Sequence, residues 1–232
     1  MSINHIAIVP DGNGRWATAN NLHKNEGHKQ GAENIIKIIK EASELGVNHL
    51  TIWGFSSENW RRTDAEIDDL MNLFSLYLSN DSEELHQHNI KFKVIGDVTK
   101  LSFELQQSIS NVESLTQANT GLNLYVAISY GGKDEIIRAC KKIISDHKTS
   151  EEINEKLIES YMDAPEMPPV DLLIRTSGEM RISNFLIWQI AYSELYFTNV
   201  LWPDFGKEEL QKAIEDFHNR KRNFGYAREQ IR

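Results

Sequence analysis

The sequence predicts a single α/β domain with a mainly parallel central β-sheet covered by helices. Three observations point there. Short apolar runs that read as buried strands alternate with longer segments whose apolar positions keep a 3.6-residue period. Three of the strand-like runs end abruptly in glycine, polar and cationic residues, at the strand ends where open parallel sheets hold their ligands. No repeat, low-complexity segment or linker divides the 232 residues, a length that suits one domain with a sizeable core.

The first strand is expected from His5 to Val9, a continuous apolar run that Pro10 ends by removing a backbone donor. Asp11 then stands at its C-terminal end. Gly12 and Gly14 free the backbone to turn and aim amide groups at phosphate oxygens, Arg15 adds a fork of charged donors, and Asp11 is a hard oxygen ligand suited to Mg²⁺. Together they match a metal-bound diphosphate. Gly12, Gly14 and Ala17 also satisfy the dinucleotide pattern G-x-G-x-x-A, but the acid it wants about 20 residues on would be Glu33, inside a helical pattern. A P-loop is absent, and the plainest alternative is a tight turn with Asp11 capping a loop.

A polar loop follows Trp16 and holds Lys24 and His28 just before and at the start of a helix marked by Ala32, Ile35, Ile36, Ile39 and Ala42, which Gly46 ends. Taken alone, such a Lys and His are surface groups, yet here they can face the glycine turn. His49 to Phe55 supply the second strand, with SSENWRR (56–62) gathering polar and cationic groups beyond it. Thr63 with Glu66 reads as a capping box opening a long helix striped by Ile67, Leu70, Met71, Phe74 and Leu78. Asp68 and Asp69 fall off that stripe, and His86 and His88 lack a third ligand at metal spacing.

Strands are expected from Ile90 to Ile95 and from Leu122 to Ser129, with a helix carrying Leu101, Leu105, Val112 and Leu115 between them. Gly131 and Gly132 lead into a helix marked by Ile136, Ile137, Cys140, Ile143 and Ile144. Another helix starts near Ser150 and is broken by Pro165, Pro168 and Pro169 before a strand from Val170 to Ile174. That strand runs into RTSGEMRIS (175–183), where Arg175 and Arg181 bracket a Ser-Gly turn. NFLIWQIAYSELYF (184–197) reads as an amphipathic segment at best, rich in aromatics with Glu194 embedded, and suits core or a subunit interface.

Net charge is −9, which argues against generic nucleic-acid binding. The end of the chain, Asn219 to Arg232, is locally basic through Arg220, Lys221, Arg222, Arg228 and Arg232, as a solvated helix end or a functional arm. The single cysteine, Cys140, sits on the apolar face of its helix and excludes an internal disulfide, which a reducing compartment accommodates. No signal peptide or 18-residue apolar run is present, so a cytoplasmic protein with at most peripheral contact with a membrane surface is expected.

With DGNGRW, FSSENW, RTSGE, RISNFLIWQIAYSELYF and WPDF in this order over nearly the whole chain, the sequence resembles the cis-prenyltransferases. The resemblance implies a Mg²⁺-dependent homodimeric enzyme that lengthens an allylic diphosphate, usually farnesyl diphosphate, with isopentenyl diphosphate units in Z geometry. A long product of undecaprenyl length for a cell-wall lipid carrier is implied, with a shorter-chain synthase or a noncatalytic partner subunit as alternatives. The DDxxD signature of trans-prenyltransferases is missing, since Asp68-Asp69 is followed by Leu70, Met71 and Asn72.

Carried over by motif, Asp11 is the catalytic metal ligand and Glu194 helps hold the metal. Gly12, Asn13, Gly14, Arg15, Trp16, Lys24, His28 and Arg62 hold the allylic substrate, with Ser56, Ser57 and Glu58 completing that site. Asn59 takes the proton-acceptor position, with Trp60 beside it. An amide is a very poor base, so Asn59 is expected to position the diphosphate oxygen or water that takes the proton. Arg175, Arg181, Ile182 and Ser183 bind isopentenyl diphosphate. Met180 stands where the family often has a metal-site histidine, Lys24 where it commonly has Arg, Pro10 for a frequent Met, Ser177 for a frequent Gly, and RNFGY for RRFGG.

With diphosphates at the strands' C-terminal ends, the product's tail must run toward the N-terminal ends, through an apolar tunnel between sheet and helices. The stripe from Ile67 to Leu78 would wall it over about 16 Å. Leu122, where the resemblance implies a product-length residue, would lie at the far end.

Overall fold

The computed structural model describes residues 3–222. Six strands, β1 (His5–Val9), β2 (His49–Ser56), β3 (Lys91–Ile95), β4 (Asn123–Tyr130), β5 (Leu172–Arg175) and β6 (Glu194–Phe197), form one sheet in the order β3-β4-β2-β1-β5-β6. Every pairing is parallel. Seven α-helices accompany them among the described residues: α1 (Asn13–Ala19), α2 (Lys24–Glu44), α3 (Asp64–Gln87), α4 (Phe103–Thr116), α5 (Gly132–Ser145), α6 (Glu155–Ser160) and α7 (Lys207–Asn219).

Parallel strands covered on both faces carry unbroken apolar runs, and all five residues of β1 are buried. Its side chains alternate between two cores, Ile6 and Ile8 entering the one that α2, α3, α4 and α7 close, and Ala7 and Val9 the one that Phe185, Leu186 and Ile190 close. The register Val9↔Arg175 sets the end of β1 beside the end of β5. Irregular pairing at Trp53/Phe55 and Phe55/Ser56 ends β2 next to them, a common device at the rim of a functional sheet.

Several sequence expectations are corrected. The segment after Gly12 is a helix, α1, so Gly14, Arg15 and Trp16 lie on helical rather than looped backbone, and Lys24 opens α2 instead of preceding it. A 3₁₀ helix, Ser57–Arg61, occupies SSENWRR. The Thr63–Glu66 capping box is half formed: Thr63 Oγ1 accepts the Glu66 amide at 3.4 Å, while the Glu66 carboxylate reaches across to Lys24.

On α5 the buried positions are Gly132, Glu135, Ala139 and Ile143, leaving Ile137, Ile144 and Cys140 exposed. The reason is Glu135, drawn inward because it accepts hydrogen bonds from Tyr130 Oη at 2.6 Å and Gln189 Nε2 at 3.0 Å. The 184–197 stretch is not a helix. Ser183, Asn184 and Leu186 have φ of 48°, 69° and 46°, which no helix accommodates, and the chain turns Phe185 and Leu186 into the second core before adding β6 as an edge strand.

Candidate active site

Asp11 stands two residues beyond β1, and its geometry is fixed from β5. Its amide donates to Thr176 Oγ1 at 2.8 Å, and the same hydroxyl donates to the Asp11 carbonyl at 2.7 Å. Arg175, the last residue of β5, donates to Asp11 Oδ2 at 2.9 Å, to the Arg181 carbonyl at 2.6 Å and to Ser183 Oγ at 2.8 Å. Its Nε is buried without a partner. One buried guanidinium thus ties the two strand-end motifs together.

Gly12 has φ of +109°, and a β-carbon there would come within 2.9 Å of Ser177 Cβ, so glycine is required on two counts. Immediately after it, the first-turn amides of Asn13, Gly14 and Arg15 have no intrahelical acceptor. Arg15 donates to the Ser177 carbonyl at 2.8 Å, to Ser177 Oγ and to Glu179 Oε1 at 3.0 Å. Glu179 also pairs with Arg181. WPDF clamps this arrangement from behind: the Trp202 amide donates to the Asp11 carbonyl at 3.1 Å, and Asp204 accepts Trp16 Nε1 at 2.8 Å.

The opposite wall comes from α2 and the 3₁₀ turn. Lys24 pairs with Glu66. Burial, then the charges of Arg62 and Lys24, hold the His28 imidazole below the ordinary histidine value, so it is neutral at pH 7; its Nε2 is buried without a partner. A bound anion would reverse the charge contribution. Asn59 is locked with Ser56: the Ser56 amide donates to Asn59 Oδ1 at 2.9 Å, and the Asn59 amide donates to Ser56 Oγ at 3.1 Å. Its acceptor oxygen is therefore occupied, and the amide NH₂ is what it offers the cavity. Glu58 accepts Asn184 Nδ2 at 2.9 Å; burial pushes its carboxyl up, but the bonds from Asn184, its own backbone, Ser57 and Ser56 outweigh that and leave it below the usual value.

All these groups open onto one cavity of about 820 Å³. Its mouth is lined by Asp11, Gly12, Asn13, Gly14, Arg15, Lys24, His28, Ser56, Glu58, Asn59, Arg62, Arg175 and Ser183. From there it runs between the sheet and the helices α2 and α3, past Ile35, Ile36, Leu70, Met71, Phe74 and Leu78 to Leu85, Phe92 and Leu124. The tunnel predicted from the stripe on α3 is present. Ile67 packs in the adjoining core instead. Leu122 is buried, just before β4, and does not line the cavity; the wall there is Leu124, two residues on and within β4.

Other expected residues are close but not on the wall. Trp16 turns to Asp204, Trp60 donates to Ser129 Oγ at 2.9 Å, and Ile182 packs on the second core. Ser57 Oγ donates to Glu58 at 3.1 Å, and Arg181 is an exposed rim group held by Glu179. Glu194 is not brought to Asp11 within the chain. It opens β6 in register with Leu172, whereas Asp11 lies beyond the Val9–Arg175–Phe197 row at the other end, and it accepts Arg220 Nη1 at 2.9 Å. Of the basic tail, Arg220 and Arg222 enter ion pairs with Glu194 and Asp171; Arg228, Arg232 and most of RNFGY lie outside the described residues.

Thr176, Glu179, Asn184 and Trp202 were not singled out from sequence, and Ser177 was noted only as a replacement for a frequent Gly, although each holds a site group. Ser177 and Asn184 share a signal that only the backbone carries: with Ser129 and Ser183 they adopt left-handed φ at the sheet's C-terminal rim, and such non-glycine conformations cluster at functional sites.

For a metal, the described residues contain no group of three or more His, Cys, Asp or Glu side chains able to hold one. Asp11 alone fits. Its Oδ1 faces the mouth 3.7 Å from Arg15, and the side chain is 32% exposed. One carboxylate completed by substrate phosphates and water is a usual Mg²⁺ arrangement.

A family model, curated proteins and solved structures resemble this chain. The family model described as putative undecaprenyl diphosphate synthase matches residues 9–225. An isoprenyl transferase of Rickettsia bellii is 49% identical over 224 residues, covering 97% of this chain and 98% of its own. The ditrans,polycis-undecaprenyl-diphosphate synthase ((2E,6E)-farnesyl-diphosphate specific) of Vibrio vulnificus is 46% identical, covering 98% and 92%. The crystal structure of lavandulyl diphosphate synthase from Lavandula x intermedia in complex with dimethylallyl diphosphate superposes with a TM-score of 0.93 at 40% identity, covering 96% of this chain and 98% of that one.

Proposed function

Since the chain belongs to the undecaprenyl diphosphate synthase family of isoprenyl transferases, we propose that it condenses isopentenyl diphosphate onto an allylic diphosphate, farnesyl diphosphate being the primer, to give a long Z-polyprenyl diphosphate. The observation that carries this reading is the continuity of a cation-lined mouth with an apolar cavity of about 820 Å³. One half of the substrate is a diphosphate and the other a growing hydrocarbon, and the two halves of the cavity match them.

The allylic diphosphate is held by the free amides of Asn13, Gly14 and Arg15 with Lys24, Arg62 and His28, its tail entering between α2 and α3. Ser56 and Glu58 shape the wall beside it, and Ser57 steadies Glu58 through its hydroxyl. Isopentenyl diphosphate is held by Arg175, Arg181 and Ser183. Asp11 would hold Mg²⁺, which when bound supplies Lewis-acid stabilisation of the departing diphosphate. Lys24, Arg62 and Arg15 add preorganised positive charge where the leaving group's charge develops. The double bond of the second substrate then forms the new C–C bond as the allylic C–O bond breaks, and the proton lost goes to a diphosphate oxygen that the Asn59 NH₂ holds in place.

Glu194 cannot join Asp11 within one chain, so the metal role that the resemblance implies for it requires a second copy. A homodimer with Tyr192 and Leu195, both exposed, near its interface accommodates that. An undecaprenyl-length product would serve as precursor of a cell-wall lipid carrier. No helix among the described residues is long and apolar enough to cross a membrane, so contact with a membrane surface would be peripheral. A noncatalytic partner subunit has no use for Asp11, Asn59, Arg175 and the free amides of α1 gathered at one mouth.

Incubation with farnesyl diphosphate, labelled isopentenyl diphosphate and Mg²⁺, followed by product sizing, tests the reading. A ladder ending in a long polyprenyl diphosphate is expected. No extension of farnesyl diphosphate, or extension by a single unit, would overturn the long-chain assignment.

A further inference from the structure

The wall of the tunnel along α3 from Leu70 to Leu78 is apolar apart from the phenol of Tyr77, and then carries a carboxylate. Asp81 lines the cavity together with Ile36, Ile39 and Leu85, 14 residues and about 21 Å beyond Ile67 along the helix. Its Oδ2 is buried and has no hydrogen-bond partner. The cation nearest in role, Lys40 of α2, gives its ammonium to Glu84 at 2.6 Å, one turn further along α3, so Asp81 is beside an ion pair without belonging to it. A second, water-sized cavity of about 10 Å³ adjoins, lined by Ile36, Ile39, Leu85 and Ile90 as well as by Asp81, Lys40, Glu84 and His88. Burial and the Glu84 charge push the Asp81 carboxyl above its usual range, with Lys40 opposing.

An unpartnered carboxylate costs free energy when its water is removed, far more than any neighbouring apolar residue. It has no part in binding a diphosphate, being at the other end of the tunnel from the mouth, and it supports no other residue by a hydrogen bond. What reaches it is the far end of a lengthening hydrocarbon. Resting on the prenyl-elongation reading above, we propose that Asp81 is a product-length determinant: the charge on the tunnel wall opposes passage of the growing chain and biases elongation to stop where the chain end meets it. Shape limits a chain by blocking it, whereas this residue acts by making the next isoprene unit displace the solvation of a carboxylate. Leu124 and Phe92 then complete the end wall as packing.

The test compares product sizes from farnesyl diphosphate, labelled isopentenyl diphosphate and Mg²⁺ for the wild type, Asp81→Asn, Asp81→Ala and Asp81→Glu. Asn keeps the shape and removes the charge, Ala removes both, and Glu keeps the charge. The expected result is a main product longer by one or more isoprene units in both Asn and Ala variants, with the Glu variant staying at or below wild-type length. An unchanged distribution in Asp81→Asn overturns the proposal, and a shift in Ala without one in Asn does so too, by showing that space rather than charge sets the length. Should Asp81→Ala fail to fold, the isosteric Asn variant decides by itself. A wild type that extends no primer removes the elongation reading itself, a different result from a wild-type ladder that Asp81→Asn leaves unmoved.

Discussion

The two ends of the sheet carry similar side chains in different states of satisfaction. At the N-terminal end, His5 bonds both the Pro168 carbonyl and Thr51 Oγ1 at 2.8 Å. Asp171 accepts the amides of Asn4 and His5 and the guanidinium of Arg222, and Glu194 takes Arg220. At the C-terminal end, Arg175 Nε, Asn13 Oδ1 and His28 Nε2 are buried without partners, and Arg15 and Arg181 share one carboxylate, Glu179, on the rim. Polar groups spent on one another hold a fold together; polar groups left short of partners around a cavity wait for a ligand. Residue type does not distinguish the two ends, because arginine, aspartate and histidine occur at both.

The sharpest way to break the comparison is Asp11→Ala. Because Arg175 keeps the Arg181 carbonyl and Ser183 as acceptors, the stability loss should stay near 1–2 kcal/mol, while kcat/KM should fall by about 10³-fold or more. Near-wild-type turnover in the variant, or activity of the parent that survives chelation of divalent cations, would remove Asp11 from the centre of the site.

At the satisfied end the expected effect is on stability alone. Burial, partly offset by the Pro168 carbonyl and reinforced by His49, lowers the His5 pKa from 6.5 to about 4. Above pH 6.5 the ring is neutral folded or unfolded, so nothing is lost; between pH 6.5 and 4 only the unfolded chain takes up the proton, and stability falls with pH. The loss should approach about 3 kcal/mol near pH 4 and grow no further below it. Denaturant titrations across that range check it, and His5→Gln should flatten the slope.

Arg181→Ala comes next. Each charged hydrogen bond lost to the second diphosphate should cost roughly 1.5–3 kcal/mol, about 10- to 150-fold in kcat/KM for isopentenyl diphosphate. A loss confined to the allylic substrate would mean that the two diphosphate sites have been exchanged.

The smallest single effect, and the most informative about the boundary between the two ends, is at Glu194. Removing the half-buried Arg220 pair in Glu194→Ala should cost about 1 kcal/mol of stability. If Glu194 serves the site of a second copy, mixed Asp11→Ala and Glu194→Ala chains should recover activity that neither has alone. Absence of recovery after verified subunit exchange would leave Glu194 as a brace for Arg220.

Five of the six strands and the mouth residues from Asp11 to Arg15 were legible in the sequence because they depend on local pattern: apolar runs that stop at proline or glycine, and charged donors placed where they stop. The stripe on α3 was legible for the same reason, its period being that of the helix. What failed locally is instructive. The exposed isoleucines of α5 kept a helical period, yet Glu135 turned the helix because Tyr130, just before it, and Gln189, far along the chain, satisfy it.

Tertiary structure alone decided which polar groups remain available. Arg175 binds Asp11 only because β1 and β5 pair in one register. Glu194 lies within the same short run, residues 181–197, as Ser183, yet the parallel addition of β6 carries it to the opposite end of the sheet. The sequence by itself determined the kinds of groups and the strands that bear them. The partners that fix Asp11 come from 160 or more residues away, as Thr176 and Arg175 do, and a free energy of pairing set by such distant neighbours has no local signature.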